Sequence, residues 1–368
     1  MKKYLAIIGT TYPEIHGATK VTDFFYENTK KHKLNILNYR YRSYLNPRKK
    51  DIYNTLFIES KLAKLLSFFT ISIRLFKDIK KINALYIQEN GGFGKIYDIY
   101  FLIFFLLFRK RCFYCNHTYK KINKYDFLTK VIQLLSSFGI KNIFLNKKEA
   151  DKFIKKYGNT DYIVISNSVF IKKPAIKKKH LKKNKSLKFG LISNLNKSKG
   201  LDLFIDIAKK SSIAMKKWEF HLAGPVVNKK EYYLNEIQSL KNIKYYGPIY
   251  DSNQKQVFYQ NLDFFIFFTT YKNESEPLVV LESTSNGCIP IVYNQGSLSE
   301  LVPEKKLILK KRIDIFPTFK SLVEDIILNN ELEILSSKSR DHFKTLKINS
   351  EKNMESLMLE IKTILNED

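Results

Sequence analysis

The sequence is poor in cysteine, which argues against two kinds of site. Only Cys112, Cys115 and Cys288 occur among 368 residues, and so small and odd a number argues against a disulfide framework and indicates a reducing compartment. Cys112 and Cys115 form a C-x-x-C, but they fall in a predicted strand, where positions three apart face opposite sides. No second pair completes a zinc site, so we predict no metal centre.

The sequence also lacks an apolar run of the roughly 20 residues that a membrane-spanning helix needs. The N-terminal segment MKKYLAIIGTTYP has an apolar run too short for the core of a signal peptide. The most apolar segment is IYFLIFFLLF, residues 99–108, which RKR follows at 109–111. Two interpretations stay open: a buried helix, or a helix that dips into a membrane interface, where aromatic surface beside cations is favoured.

Acidic residues are scarce in the first half of the chain. Residues 1–170 hold 31 Lys/Arg against 12 Asp/Glu, residues 171–188 hold nine Lys and no acid, and residues 189–368 are nearly neutral. The formal charge of +29 is therefore confined to the first half and the connector. Such a surface favours an anionic partner: nucleic acid, a lipid surface or a phosphorylated acceptor. A compositional bias of the source genome is the alternative explanation.

The chain is too long for one ordinary core, so two domains of roughly 150–190 residues are expected. Helical patterns alternate with short apolar strands at 4–9, 33–39, 84–89, 111–116, 142–146, 162–167, 189–193, 219–224, 243–247, 263–268 and 289–293. This alternation predicts an α/β fold with parallel sheets, whose ligands bind outside the carboxyl ends of the strands. The natural site is the cleft between two such domains.

The composition divides the chain into four predicted segments. They are an N-terminal domain over 1–170, a Lys-rich linker over 171–188, a second domain over 189–345 and a closing helix over 346–368 that crosses back to the first domain. The linker is predicted because its lysines show no apolar periodicity.

Two acids bracket an apolar segment, ESEPLVVLESTSNGCIP, at residues 274–290. Glu274 lies in a loop after a predicted strand, and Pro277 suits the first turn of a helix. Glu282 falls roughly one and a half turns into that helix, and Gly287 fits the position just past its end.

A second helix start is predicted after the next strand. Ser297 and Glu300 stand in the S-x-x-E spacing of a capping box, and Gly296 precedes them. Two helix N-termini beside the carboxyl ends of strands favour an anion site.

These residues resemble a known family. Glu274 and Glu282 in E-x7-E spacing, followed by NGCIPIV and GSLSEL, are similar to a run in retaining glycosyltransferases of the GT-B fold, family 4. ISNLNKSKG at 192–200, FHLAGP at 220–225 and IIGTTYPEIHGATK near the N-terminus resemble further motifs of that family. The resemblance covers most of the chain and is firmest over 189–302. It implies two Rossmann-like domains with parallel sheets that face a central cleft.

The resemblance also implies roles for single residues. Glu274 would hold hydroxyls of the donor sugar, and Glu282 would accept hydrogen bonds from the ribose of the nucleotide. Lys199 would neutralise the diphosphate, and His117 would lie near the reacting sugar. Further donor-binding positions are at the helix start, at the second glycine turn and in the first domain: Leu278, Gly296, Ser297 and Gly17.

Two positions depart from the family pattern. The usual Arg of the loop is Asn194, so one of two cations on the leaving phosphate is missing, and such a cation can stabilise the transition state by several kcal/mol. The glycine that usually follows the first Glu is Ser275, and Pro277 removes one backbone donor.

The family implies transfer of a sugar from a nucleotide diphosphate sugar to a hydroxyl, with retained configuration. No D-x-D stands at a strand end, so neither a metal nor another cofactor is expected. The basic half is the acceptor half, which suggests a polyprenyl-diphosphate-linked saccharide at an anionic membrane. The expected enzyme is cytoplasmic, peripheral on the inner face of the membrane, and builds a bacterial surface polysaccharide such as O-antigen or capsule.

Two alternatives are kept. An epimerase or phosphorylase of the same fold would share the acidic pair and the glycine loops. A nucleic-acid-binding protein would suit the charge and the aromatic content, but the sequence shows no RNP-like, helix-turn-helix or zinc-finger signature, so no nucleic-acid partner is predicted.

Overall fold

The computed structural model describes residues 2–10, 17–41, 57–172, 186–214 and 217–367, with the backbone alone at 17–20 and 57–60. Most of the predicted Lys-rich linker lies outside the described residues. The chain forms two compact units, one of Met1–Phe170 with Asn349–Asp368, the other of Ile171–Ile348. Each unit contains a six-stranded parallel sheet with helices between the strands, as the α/β prediction required.

The first unit has the strand order β2-β1-β3-β4-β5-β6. Its strands are β1 (Tyr4–Gly9), β2 (Ile36–Arg40), β3 (Ile82–Gln88), β4 (Arg111–Cys115), β5 (Ile140–Phe144) and β6 (Asp161–Val164). Its helices are α1 (Gly17–Lys31), α2 (Phe57–Asp78), α3 (Lys95–Leu107), α4 (Lys120–Asn123), α5 (Phe127–Leu135) and α6 (Lys147–Tyr157). Because every crossover joins parallel strands, the loops that follow the strands gather at one edge of the sheet.

The two sides of this sheet have separate cores. Helices α2, α3 and α5 cover one side, where Cys112 of β4 is buried, and α1 covers the other, where Cys115 is buried. The two thiols of the C-x-x-C therefore face opposite sides, as predicted for a strand. The apolar segment 99–108 lies on α3 and buries Phe101, Leu102 and Phe105, but it leaves Leu107 exposed.

The second unit has the strand order β12-β11-β10-β7-β8-β9. Its strands are β7 (Leu187–Ile192), β8 (Trp218–Ala223), β9 (Ile243–Tyr245), β10 (Phe264–Phe267), β11 (Ile289–Tyr293) and β12 (Ile308–Leu309). Its helices are α7 (Leu201–Ile213), α8 (Lys230–Gln238), α9 (Ser252–Gln260), α10 (Leu278–Ser285), α11 (Phe316–Leu328) and the first part of α12 (Leu332–Asn366). The strand order reverses between β7 and β10, which makes their carboxyl ends the switch point of the sheet.

Helix α12 belongs to both units. Residues 332–348 are part of the second unit and residues 349–366 part of the first, so the helix begins earlier than the closing helix predicted at 346. Its later part supplies Leu357, Met358 and Ile361 to the core of the first unit. Of the helices in the described ranges, none is long and apolar enough to cross a membrane.

Candidate active site

Three predicted residues follow three neighbouring strands of the second sheet. Lys199 comes after β7, Glu274 after β10 and Gly296 after β11. Because β7 and β10 flank the switch point, the loops that follow them line a crevice at the carboxyl edge of the sheet. This edge is the place where a sheet of this order binds its ligand.

Lys199 and Glu274 form an ion pair across the switch point. The Lys199 ammonium lies 2.5 Å from Oε2 of Glu274, which is largely buried. The Thr269 hydroxyl donates to the same oxygen at 3.3 Å, and the ammonium stands 5.0 Å from the centroid of the Tyr271 ring. The carboxylate and the aromatic face together hold a cation at the end of β7.

The loop that carries Lys199 is shaped by Asn196. Its Oδ1 accepts hydrogen bonds from the Lys199 amide at 3.1 Å and from the Ser198 hydroxyl at 2.7 Å. The Ser198 carbonyl in turn accepts from the Thr270 amide at 2.8 Å, which joins this loop to the loop after β10. Lys199 therefore lies in a short 3-10 turn rather than in the predicted helix over 199–210. The competing interaction is the Asn side chain, which favours turns over helices.

Gly200 shows why a glycine follows this lysine. Its φ is +86°, and a Cβ there would lie 2.7 Å from the Phe268 carbonyl oxygen. The two loops thus approach more closely than any side chain would allow. Asn194, which replaces the family's Arg, is exposed at the start of the same loop, and its carbonyl accepts from Asn196 Nδ2 at 3.2 Å.

Gly296 packs its backbone directly against Glu274. Its φ is +58°, and a Cβ there would lie 1.7 Å from the Glu274 carbonyl oxygen. Glycine is required at this position both by the left-handed conformation and by the close approach. The structure therefore brings Lys199, Glu274 and Gly296 together.

The capping box predicted at Ser297 is wrong. The Ser297 side chain makes no cap hydrogen bond, and residues Leu298–Leu301 form a 3-10 turn instead of a helix. Pro303 follows closely, and the residue before it, Val302, is extended, as a residue before proline usually is. Ser297 is nevertheless fully buried, and the structure gives its hydroxyl no hydrogen-bond partner among the described residues.

Helix α10 begins beside the ion pair. Pro277 is its N-cap and Leu278 its first residue, so the first backbone donors of the helix follow Glu274 closely. Ser275 and Glu276, between Glu274 and the helix, are both buried. Sequence reasoning missed Glu276, because an acid in a loop is usually exposed.

Glu282 is held by two residues of α9. Its Oε2 accepts from Lys255 Nζ at 2.6 Å and from the Tyr259 hydroxyl at 2.9 Å. Burial and the adjacent carboxylate raise the pKa of Tyr259 well above its usual value, so the phenol remains a donor. Sequence reasoning missed both donors; their i, i+4 spacing, which puts them on one helix face, was the available signal.

In the first unit, His117 follows β4 and Gly17 is the first residue of α1. The His117 amide donates to Glu89 Oε2 at 3.2 Å. The buried Glu89 carboxylate is also paired with Lys121 at 2.6 Å and Lys95 at 3.1 Å. Burial alone would raise the pKa of Glu89, but the two lysines outweigh it and lower this pKa to about 2. This buried cluster was not predicted from the sequence.

Comparison with known proteins identifies the second unit. The family model of glycosyl transferases group 1 matches residues 172–344. The chain carries a group 1 glycosyltransferase domain. The ion pair at the switch point and the Glu282 cluster both lie within this glycosyltransferase domain. No curated protein sequence matches the chain.

Solved structures show that the whole glycosyltransferase chain has the GT-B fold. Sucrose-phosphate synthase from Thermosynechococcus elongatus superposes with a TM-score of 0.68 at 12% identity, over 99% of this chain and 98% of that one. HepE from Anabaena, in complex with UDP, gives 0.65 at 14% identity over 96% and 99%. TarM from S. aureus gives 0.56 at 16% identity over 83% of this chain and 59% of its own.

Proposed function

We propose that this glycosyltransferase moves a sugar from a nucleotide diphosphate sugar to a hydroxyl of a saccharide acceptor, with retained anomeric configuration and without a metal. The Lys199–Glu274 ion pair at the switch point carries the proposal. It puts a cation for a diphosphate and a carboxylate for sugar hydroxyls at one ligand-binding edge. The structures of HepE with UDP and with UDP-glucose support a donor of this class.

The donor would extend along the edge from Glu274 to Glu282. Glu274 would accept hydrogen bonds from the transferred sugar, and Glu282, fixed by Lys255 and Tyr259, would accept them from the ribose. The diphosphate between them would meet Lys199 and the first amide groups of α10, starting at Leu278, where the helix dipole favours negative charge. Gly296 and Ser297 would close the other side. The roles of His117 and Gly17 stay predictions.

In the proposed reaction, the acceptor oxygen forms a bond to the anomeric carbon on the face from which the diphosphate departs. The bond between that carbon and the phosphate oxygen breaks, and the acceptor proton passes to the departing phosphate. Lys199 stabilises the charge that develops on the diphosphate. Asn194 supplies no charge to this step, so the helix terminus takes a larger share of it.

We also propose that the acceptor saccharide is carried on a polyprenyl diphosphate at the cytoplasmic face of a membrane, in bacterial surface polysaccharide synthesis. The support is the charge asymmetry: residues 1–170 carry the large excess of Lys and Arg, and residues 189–368 are nearly neutral. A basic first unit suits a diphosphate and an anionic membrane face.

A thermal-shift screen against UDP, GDP, ADP and their sugars tests the donor proposal. We expect one nucleotide and its sugars to raise the melting temperature, since a ligand at 100 times its Kd stabilises by about 2.7 kcal/mol. Stabilisation by none of them would contradict the proposal.

Donor consumption then separates the reactions. A transferase consumes donor only with an acceptor, an epimerase converts it without one, and a phosphorylase needs inorganic phosphate. NMR of the product's anomeric proton reports retention, and an unchanged rate in EDTA is expected for a metal-independent enzyme.

A further inference from the structure

Two helices of the first unit share one outward surface. Helices α2 and α3 cover the same side of the first sheet, where Leu75 of α2 and Phe105 of α3 are buried in one core. The helices also touch each other, with the Phe68 ring centroid 4.7 Å from that of Tyr97. Because their inward faces cover the same side of the sheet, their other faces point away from it together.

This surface, which we name the α2–α3 outer face, is apolar along its whole length. Helix α2 contributes six large side chains, each 37% to 69% exposed: Leu62, Leu65, Leu66, Phe69, Ile73 and Phe76. Helix α3 contributes four at helical spacing: Ile96, Tyr100, Ile103 and Leu107. Scattered exposed apolar residues are normal, but a contiguous set of ten marks an interaction surface.

The charges around the outer face have one sign. Residues 61–110 hold nine Lys or Arg and three acids. The acids are turned to the protein interior: Glu89 and Asp98 are buried, and Asp78 accepts from the Tyr39 hydroxyl at 2.8 Å. The exposed basic residues lie along and beside the two helices: Lys61, Arg74, Lys77, Lys80, Lys81 and Arg109. Within this segment every exposed charge is therefore positive.

We propose that the α2–α3 outer face binds an anionic lipid bilayer, with both helices lying in the membrane interface. Aromatic and aliphatic side chains would enter the acyl boundary while Lys and Arg contact the headgroups, the arrangement of an interfacial amphipathic helix. The proposal gives the membrane association above a surface. It rests on that part of the proposed function alone and is independent of the sugar transfer.

The charge pattern favours a bilayer over a second copy of the chain. In a two-fold dimer the same surface faces itself, so the basic residues would lie against one another. Anionic headgroups instead neutralise all of them at once. The six α2 residues recur with a helical period over 62–76, so one long stripe lies on a nearly planar boundary.

Vesicle flotation tests the proposal on the full chain, with pure phosphatidylcholine or with added phosphatidylglycerol. We expect binding to the anionic vesicles that weakens in high salt. The double variant Phe69→Glu/Phe76→Glu should lower the partition coefficient about tenfold or more, because charges replace two inserted rings. The matched control is Ile313→Glu, at a fully exposed apolar position of the second unit, which should bind as the wild type does.

A second variant does not depend on the loss of a side chain. The chain has one tryptophan, Trp218, buried in the second unit. Phe69→Trp therefore adds a reporter whose fluorescence should be quenched by brominated lipids in anionic vesicles. Ile313→Trp should show no such quenching.

Three results would overturn the proposal. They are the absence of flotation with anionic vesicles, equal flotation of wild type and Phe69→Glu/Phe76→Glu, and self-association of the free protein that this double variant abolishes. Nucleotide binding, measured by thermal shift on the same variants, should not change, so a failure of the lipid proposal is distinguished from a failure of the transferase proposal.

Discussion

The Lys199 ammonium lies 2.5 Å from the Glu274 carboxylate, where β7 and β10 lie side by side although the two residues are far apart in sequence. In this arrangement each charge neutralises the other. A diphosphate that approached Lys199 would compete with Glu274 for the ammonium and leave the carboxylate available to sugar hydroxyls. The pair thus links binding of the leaving group to binding of the transferred sugar.

Lys199→Ala should therefore impair turnover more than donor binding. We expect kcat to fall by about 100-fold, the effect of removing one group that stabilises developing charge, with a smaller change in the Kd for the donor. The control is Lys197→Ala, in the same 3-10 turn, whose side chain is 85% exposed. Equal activity of the two variants would contradict a role for Lys199 at the diphosphate.

Gly296→Ala should disrupt the site because its Cβ would lie 1.7 Å from the Glu274 carbonyl. Gly247→Ala is the matched control, since Gly247 has a similar φ of +68° but open space around its Cβ position. The control should cost about 1–2 kcal/mol of unfolding free energy, from the left-handed conformation alone. Gly296→Ala should cost more and should also lower kcat; similar denaturation midpoints and rates for both variants would contradict the close approach.

Glu282 and Glu274 should differ in what they contribute. Glu282→Ala should weaken nucleotide binding by about tenfold or more, through lost hydrogen bonds to the ribose. Glu274→Ala should leave the Kd for the free nucleotide nearly unchanged and reduce turnover. Tyr259→Phe removes one donor to Glu282 and should weaken nucleotide binding less than Glu282→Ala. Calorimetric titration with the nucleotide distinguishes these outcomes, and a fully active Glu274→Ala/Glu282→Ala variant would contradict both roles.

The sequence was most informative where chemistry depends on local spacing. The E-x7-E pair, Pro277 before the helix and Gly287 after it all predicted α10 correctly, because caps and helical periodicity are local properties. The capping box at Ser297 failed since Pro303 limits the helix that it would have started. A two-residue conflict of this kind is decided by the backbone and not by the motif.

Partners that come from distant strands could not be read from the sequence. Lys255 and Tyr259 meet Glu282 only because α9 packs beside α10, and Glu89 meets Lys121 only at the carboxyl ends of β3 and β4. Such contacts depend on strand order, and the sequence pattern predicts strands without predicting their neighbours. The apolar segment 99–108 shows the same limit, because the pattern cannot tell which of its faces the sheet covers.

Glu89→Ala should strongly destabilise the first unit. It leaves the ammonium groups of Lys95 and Lys121 buried without their carboxylate, and a broken buried pair costs about 3–5 kcal/mol. The control is Glu360→Ala, which breaks the partly exposed Lys141–Glu360 pair of the same 2.6 Å length and should cost about 1 kcal/mol or less. Equal losses in urea denaturation would mean that burial adds nothing to the Glu89 cluster.

The pH dependence of stability should contain a contribution from His221 of β8. Its Nδ1 lies 2.8 Å from the Tyr246 hydroxyl, and burial, assisted by Lys188, lowers the pKa of His221 to about 4. Between the usual pKa of 6.5 and about 4, the unfolded chain binds a proton that the folded chain does not. Stability must therefore fall as the pH is lowered through this window.

His221→Asn removes this titration and leaves carboxylate titrations in both proteins. We expect the difference in unfolding free energy between wild type and variant to be constant above pH 7. It should shrink in the direction of the variant by up to about 3 kcal/mol as the pH approaches 4, since one pKa unit corresponds to about 1.4 kcal/mol. Urea denaturation at a series of pH values measures this difference, and parallel curves for the two proteins would show that the His221 imidazole is not held neutral by the fold.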